Sequence, residues 1–247
     1  MPTTPEAARA DLAPTGTLRA GLNFSNFLIT RRDPATGAVG GVAADLAREL
    51  GQRLGVPVEF VGYDTPGKMA DAAGEGVWDI AFLGAEPARA AQIDFSAAYL
   101  EIEATYLVPA GSTIQSVEEV DAAGRRVSVS NKSAYELYLT RSLKHALLVK
   151  VDGVDASFER FVAEQMDALA GLRPRLVTEA AKLPGARVLA GRFTAIQQAI
   201  GTAKSAKKSG AGAQYLREFV EEAKVSGLVA KLLATNAVHG ATVAPLA

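Results

Sequence analysis

The chain predicts an α/β protein of two doubly wound lobes joined by two hinge crossings. Three observations carry that prediction. Two β-α-β-α-β patterns follow one another, within residues 17–84 and within residues 126–171. The sequence Val108-Pro109-Ala110-Gly111 stands between them. A further apolar run at residues 193–202 follows the second pattern and leads into one more helical stretch. Strands that recur with helices between them require parallel pairing through crossovers. The first lobe is therefore expected to be discontinuous, residues 1–108 plus 193–247, with residues 109–192 as the second.

In the first pattern, residues 17–23 alternate Leu18, Ala20 and Leu22, as a half-buried strand does. Residues 42–54 place Val42, Leu46, Leu50 and Leu54 at fours, a helical stripe. Residues 56–63 alternate again, residues 67–76 form a short helix, and residues 78–84 are a buried strand. The second pattern reads as strands at 126–130, 147–151 and 166–171 with helices at 133–144 and 156–163. Ser133, with Glu136 three residues later, is a capping box that fixes its helix start. After a strand at 187–189 the run 193–202 crosses back, and a single helix over 214–234 is expected to pack on the first lobe. Residues 203–212, AKSAKKSGAG, read as a mobile basic surface loop.

Composition removes several classes of function. The 247 residues are 49% hydrophobic and 21% charged, enough for a substantial core. Lys plus Arg number 26 against 27 acids, so no net field draws nucleic acid or an anionic membrane. There are no cysteines, hence no disulfide or thiolate chemistry. His145 and His239 stand far apart without ligand-like neighbours, which argues against a metal site or a Ser-His-Asp triad. Gly37, Gly40 and Gly41 do not follow a strand in dinucleotide-binding order, and no cofactor is implied. No apolar run approaches the roughly 18 residues of a membrane span. The opening residues contain Glu6 and Asp11 and lack the basic start and apolar centre of a secretory signal.

Residues 77–99, VWDIAFLGAEPARAAQIDFSAAY, are the most informative stretch. An apolar strand ends at Gly84 and empties into a loop presenting Glu86, Pro87 and Arg89 before Asp94-Phe95-Ser96. In an open α/β sheet such a loop lies outside the carboxyl end of a strand, where ligands collect. The guanidinium of Arg89 offers paired donors matched to a carboxylate; alternatively it is a surface arginine pairing with Glu86 or Asp94. GAEPAR followed by DFSAAY resembles the signature of the family 3 solute-binding proteins, the amino-acid-binding components of ABC transporters. In that family a T-x-T-P-E-R stretch precedes DFS-x-PY. The resemblance runs from residue 17 to about residue 227 and includes GVAADLARELGQRLG near the start. It implies the type II periplasmic-binding-protein fold, with function in a cleft where the two lobes face each other. It also implies Arg89 as the carboxylate-binding arginine and the Ser133 turn, with Asn131 and Tyr135, as a second anchor for the same carboxylate.

The departures bear on the ligand. Leu172 stands where α-amino-acid binders of this family place an aspartate for the ammonium, and an amine buried without a charge partner costs several kcal/mol. Asn26, in the loop Asn23-Phe24-Ser25-Asn26-Phe27, falls near the position of a stacking aromatic. Gly84 and Glu86 replace threonine and serine contacts, and Lys132 replaces a glycine. Glu86 or Glu103 can supply the missing acid if either points inward. Of Gln197 and Gln198, neighbours on a strand, at most one faces the site, and Gln198 is the candidate. Asp64, which caps the helix after it, and Lys68 belong to the rim. The reading is a monomeric solute-binding protein, not an enzyme, that captures a small carboxylate-bearing molecule for an ABC permease. Its location is periplasmic by resemblance, with the cytoplasm left open by the missing signal. The alternatives are a dehydratase acting on prephenate or arogenate, with Glu86 or Glu103 as the acid, and a ligand sensor without a transport partner.

Overall fold

The computed structural model describes residues 5–247, which divide into two compact units. The first unit comprises the residues up to Glu101 together with Gln197–Ala247, and the second comprises Ile102–Ile196. The division falls inside two strands rather than at 108 and 193, because Ile93–Val108 and Thr194–Ala203 each run on as one strand.

The first unit begins with a helix that the sequence reading passed over, α1 (Pro5–Leu12). There follow β1 (Leu18–Asn23), a small hairpin of β2 (Arg31–Arg32) and β3 (Val39–Gly40), α2 (Val42–Leu54), β4 (Val58–Tyr63) and α3 (Pro66–Asp71). Next come β5 (Ile80–Gly84), the single turn α4 (Pro87–Ala90) and β6 (Ile93–Val108). Val42, Leu46, Leu50 and Leu54 are all buried, so the stripe of fours is the face α2 turns to the core. β1 lies between β4 and β5 and is parallel to both, with Leu18 opposite Val58 and Ala20 opposite Ile80. β5 is buried at every residue, which is why it is apolar throughout.

The second unit contains β7 (Arg126–Ser130), α5 (Ala134–Ser142), β8 (Leu147–Val151), α6 (Val154–Ala163), β9 (Ala168–Leu172), α7 (Arg173–Ala180) and β10 (Arg187–Val188). β7 pairs in parallel with β8 and β9, while β9 and β10 pair antiparallel with β6. One core cluster joins Val127, Val129, Tyr135, Leu139, Ala168 and Ala170; another, on the opposite side of the strands, joins Leu107, Phe161, Leu169 and Leu176.

The chain returns through β11 (Thr194–Ala203), antiparallel to β5 with Gln198 opposite Gly84. α8 (Ala211–Val225), α9 (Leu228–Thr235) and β12 (Ala241–Val243) complete the first unit. The expected single helix over 214–234 is two, because Gly227 at φ 77° leaves the right-handed helical region that the stripe of apolar residues would otherwise continue.

The segment 203–212 is bonded rather than loose. Lys204 Nζ donates to the Ala90 carbonyl at 2.7 Å, and Lys208 turns inward to donate to Thr202 Oγ1 at 2.6 Å. Its far end is tied by Asp11, the buried last acid of α1, which accepts from Ser209 N–H at 2.9 Å, Ser209 Oγ at 3.0 Å and Gly212 N–H at 3.0 Å. Asp11 thereby caps α8 from another helix. Burial pushes the Asp11 carboxyl up, and the bonds from Gly212 and Ser209 outweigh it, so it ionises below the usual aspartate range.

Asp11→Ala is expected to cost about 1–2 kcal/mol at pH 7, the scale of a lost helix cap. Because the folded-state value is lowered, this contribution is present above the unfolded aspartate value of about 3.9 and is lost as pH falls through the folded value. Urea denaturation of both proteins at pH 7 and at progressively lower pH should show the difference between them shrinking in acid.

Candidate functional site

β5 ends at Gly84, and one turn of helix then brings Arg89 back over the strand end. Its Nη1 donates to the Gly84 carbonyl at 2.7 Å, and its N–H donates to the Glu86 carbonyl at 2.9 Å. Arg89 is only 6% exposed, so it is not the exposed loop arginine of the surface reading. Glu86 occupies the N-cap of α4 and is likewise buried, without using its side chain as a cap. The register of β11 sets Gln198, 5% exposed, beside Gly84. Its neighbour Gln197 instead donates through Nε2 to Glu101 at 2.7 Å, as the alternation of strand side chains requires.

The loop after β1 is built by its own asparagines. Asn23 Oδ1 accepts from Ser25 N–H at 3.1 Å and Ser25 Oγ at 2.8 Å, and the Asn26 carbonyl accepts from Thr30 Oγ1 at 2.9 Å. Both asparagines are buried, and Asn26 Oδ1 has no hydrogen-bond partner among the described residues. The residue this loop leaves exposed is Phe27, at 44%. At the rim, Asp64 and Lys68 pair on the surface at 3.5 Å. The cap of α3 is Thr65, whose Oγ1 accepts from Lys68 N–H at 3.3 Å, and not Asp64.

In the second unit, β7 ends at Ser130 and turns into α5 through Asn131, Lys132 and Ser133. Lys132 has φ 54°, the left-handed conformation that a glycine adopts without strain. Ser133 Oγ accepts from Glu136 N–H at 3.1 Å, the expected cap. The return bond is shifted by one residue, for Glu136 Oε2 accepts from Lys132 N–H at 3.0 Å and not from Ser133. Glu136 Oε1 accepts from Thr140 Oγ1 at 2.6 Å and meets Lys150 Nζ at 2.7 Å, which satisfies an acid that is 2% exposed. Asn131 Nδ2 donates to Asp152 at 2.8 Å, so its amide is engaged locally. Burial pushes the Tyr135 phenol up, against the lowering influence of the Ser133 and Ser130 hydroxyls and of the Arg175 charge.

Glu103 does not supply a free acid. Its Oε2 accepts from Arg173 Nε at 2.6 Å, Arg192 lies 3.8 Å from Oε1, and its side chain is 44% exposed. Arg173 also donates through Nη1 to the Leu189 carbonyl at 3.1 Å. It directly follows Leu172, which ends β9 and stands at the N-cap of α7 without a side-chain cap. Among the described residues no three or more His, Asp or Glu side chains gather as a metal site, and no helix is long and apolar enough to cross a membrane.

The family model of bacterial extracellular solute-binding proteins, family 3, matches residues 29–236, and the chain belongs to that family. Among solved structures, a mutant of ArgBP from T. maritima is 19% identical with a TM-score of 0.75, covering 94% of this chain and 100% of its own. The amino acid ABC transporter substrate-binding protein AbpA from Streptococcus pneumoniae, bound to L-arginine, is 19% identical with a TM-score of 0.74, covering 92% and 98%. The ancestral amino-acid-binding protein AncCDT-1, a precursor of cyclohexadienyl dehydratase, is 24% identical with a TM-score of 0.72, covering 91% and 96%. No curated protein sequence matches the chain. The family and these neighbours establish the type II periplasmic-binding fold, the fold of the substrate-binding components of amino acid ABC transporters.

Ser133→Ala removes the acceptor for Glu136 N–H and is expected to destabilise the protein by about 1 kcal/mol. Chemical denaturation checks this, and Ser133→Asp, which restores an acceptor at the cap, should recover most of the loss.

Proposed function

We propose that the protein captures a small carboxylate-bearing molecule outside the cytoplasm, as a monomer, and delivers it to an ABC permease. No bond is made or broken. The observation that carries this reading is the Arg89 turn: a buried guanidinium held by the Gly84 carbonyl at the carboxyl end of β5. A buried guanidinium at a strand end can meet an anion through charge-assisted bonds, and those are the strong ones. Gln198 and Glu86 stand near the same strand end. The second unit offers the start of α5, where Ser133 spends its hydroxyl on the cap while the N–H groups of Ala134 and Tyr135 precede the first helical acceptors. Micromolar affinity corresponds to about −8 kcal/mol, within reach of one bidentate pair, a few N–H bonds and modest apolar burial.

Leu172 supports a ligand without an α-ammonium. The neighbours bound to L-arginine are under 25% identical, and their ligand does not transfer with their fold. A second reading, dehydration of a cyclic carboxylate, draws on the likeness to AncCDT-1. Its two candidate acids are Glu86, which is buried, and Glu103, which is half-exposed and engaged by Arg173. Incubation with prephenate, followed by absorbance of an aromatic product, decides that reading: no product removes it.

Arg89→Ala is expected to weaken binding of an anionic ligand by about 10–100-fold, the worth of a charge-assisted hydrogen-bond pair, and to cost about 1–3 kcal/mol of stability because the Gly84 carbonyl loses its donor. Arg89→Lys should lie between. Calorimetry of the folded variants showing unchanged affinity would refute the anchor. The intact protein is further expected to prefer deaminated carboxylates over common L-amino acids in a thermal-shift screen; a larger shift with an L-amino acid would mean that another acid receives the ammonium.

A further inference from the structure

Of the lysines among the described residues, only Lys208 and Lys224 are not exposed. Lys224 is held by Glu221 at 2.7 Å and donates to the Pro245 carbonyl at 2.7 Å. Lys208 has no ion pair among the described residues. The partner of its Nζ is Thr202 Oγ1 at 2.6 Å, and that hydroxyl already donates to the Asp79 carbonyl at 2.9 Å. A lysine drawn inward ordinarily meets an acid, because an ammonium taken out of water costs several kcal/mol unless it is paired. Lys208 meets a neutral hydroxyl instead.

The acids that face it are already committed. Asp79 accepts from Arg19 N–H at 2.9 Å and Nε at 3.0 Å through Oδ2, and from Nη2 at 2.7 Å through Oδ1. Asp11 caps α8 through Ser209 and Gly212, and Asp94 lies 3.6 Å from Lys204. Burial pushes the Lys208 ammonium down and the charge of Arg19 adds to it. Asp79, Asp11 and Asp94 oppose this without prevailing, so the amine loses its proton below the usual lysine range. Backbone bonds fix the residue on both sides, Lys208 N–H to the Ser205 carbonyl at 3.1 Å and Ser209 N–H to Asp11 at 2.9 Å. A desolvated, uncharged lysine amine is a nucleophile. Half-buried rather than sealed, this one stays within reach of a reagent from solvent.

We propose that Lys208 is an acylation site, taking its acyl group from donors of the acyl phosphate class. The Nζ lone pair attacks the acyl carbonyl carbon, the bond from that carbon to the phosphate oxygen breaks, and phosphate leaves with the electron pair. The proton that Nζ loses in forming the amide passes to water. The product keeps one N–H for Thr202 Oγ1 and carries no charge, so it removes the ion that burial disfavours. At an exposed lysine the same reaction gives up a fully hydrated ammonium.

Incubation of the intact protein with acetyl phosphate at neutral pH tests this. Fragment-ion mass spectrometry of the peptide spanning residues 204–208 reads acetylation at Lys204, Lys207 and Lys208 separately. Lys208 is expected to gain the group at least about threefold faster than the exposed Lys207, from its larger unprotonated fraction. The ratio should fall toward one in denaturing urea. It should also fall as the pH approaches the ordinary lysine value of about 10.4, where Lys207 gives up its own proton. A ratio of one or below in the folded protein at neutral pH overturns the proposal, since burial then shields the amine rather than activating it. A preference for Lys208 that persists in urea also overturns it, because its cause then lies in the local sequence and not in the fold.

Discussion

The turn between β7 and α5 depends on one carboxylate. Glu136 is almost wholly buried, and an ion in that position is tolerable only when its lone pairs are filled. Lys132 N–H, Thr140 Oγ1 and Lys150 Nζ fill them. The bond to Lys132 N–H also holds a lysine in the left-handed region, where a side chain costs about 1–3 kcal/mol. Without it the turn would relax, and Ser133 would not stand where it caps the helix. The first unit follows the same logic with the sign reversed: Arg89 is a buried cation, and the Gly84 carbonyl holds it. Each charged group is set by backbone before any ligand arrives, which lowers the ordering cost of binding.

Much of the architecture was legible because its signals are periodic. The stripe of fours from Val42 to Leu54 marks α2 to the residue, and the alternation of Leu18, Ala20 and Leu22 marks β1. What escaped lacks a period or needs a partner. α1 is short, begins at a proline and is rich in alanine, and its buried apolar residues, Ala8 and Leu12, matter only once α8 lies against the helix. The break between α8 and α9 turns on a single glycine within an otherwise continuous apolar pattern. The basic stretch 203–212 looked like solvent-facing charge, yet Lys208 is drawn inward by Thr202, whose own hydroxyl donates to the Asp79 carbonyl at 2.9 Å.

The candidate site divides in the same way. Arg89 was readable from a strand apolar enough to be buried on both faces and ended by glycine, and Ser133 from its spacing to Glu136. The burial of Arg89 was not readable, since it follows from the tight turn of α4 rather than from composition. The engagement of Glu103 was not readable, because its partner Arg173 lies 70 residues away.

The discontinuity of the first unit bears on how the chain is made. Every residue of the second unit lies between Ile102 and Ile196, so all its partners have been synthesised before residue 197 is added. The first unit must wait: β5 has no β11 beside it, and α1 no Ser209 to bind, until most of the chain exists. Domains fold as units during synthesis, and pairings between distant residues form slowly. The middle of this sequence is therefore the part that can mature first, while the opening hundred residues stay incomplete and in need of shielding until the last fifth of the chain arrives.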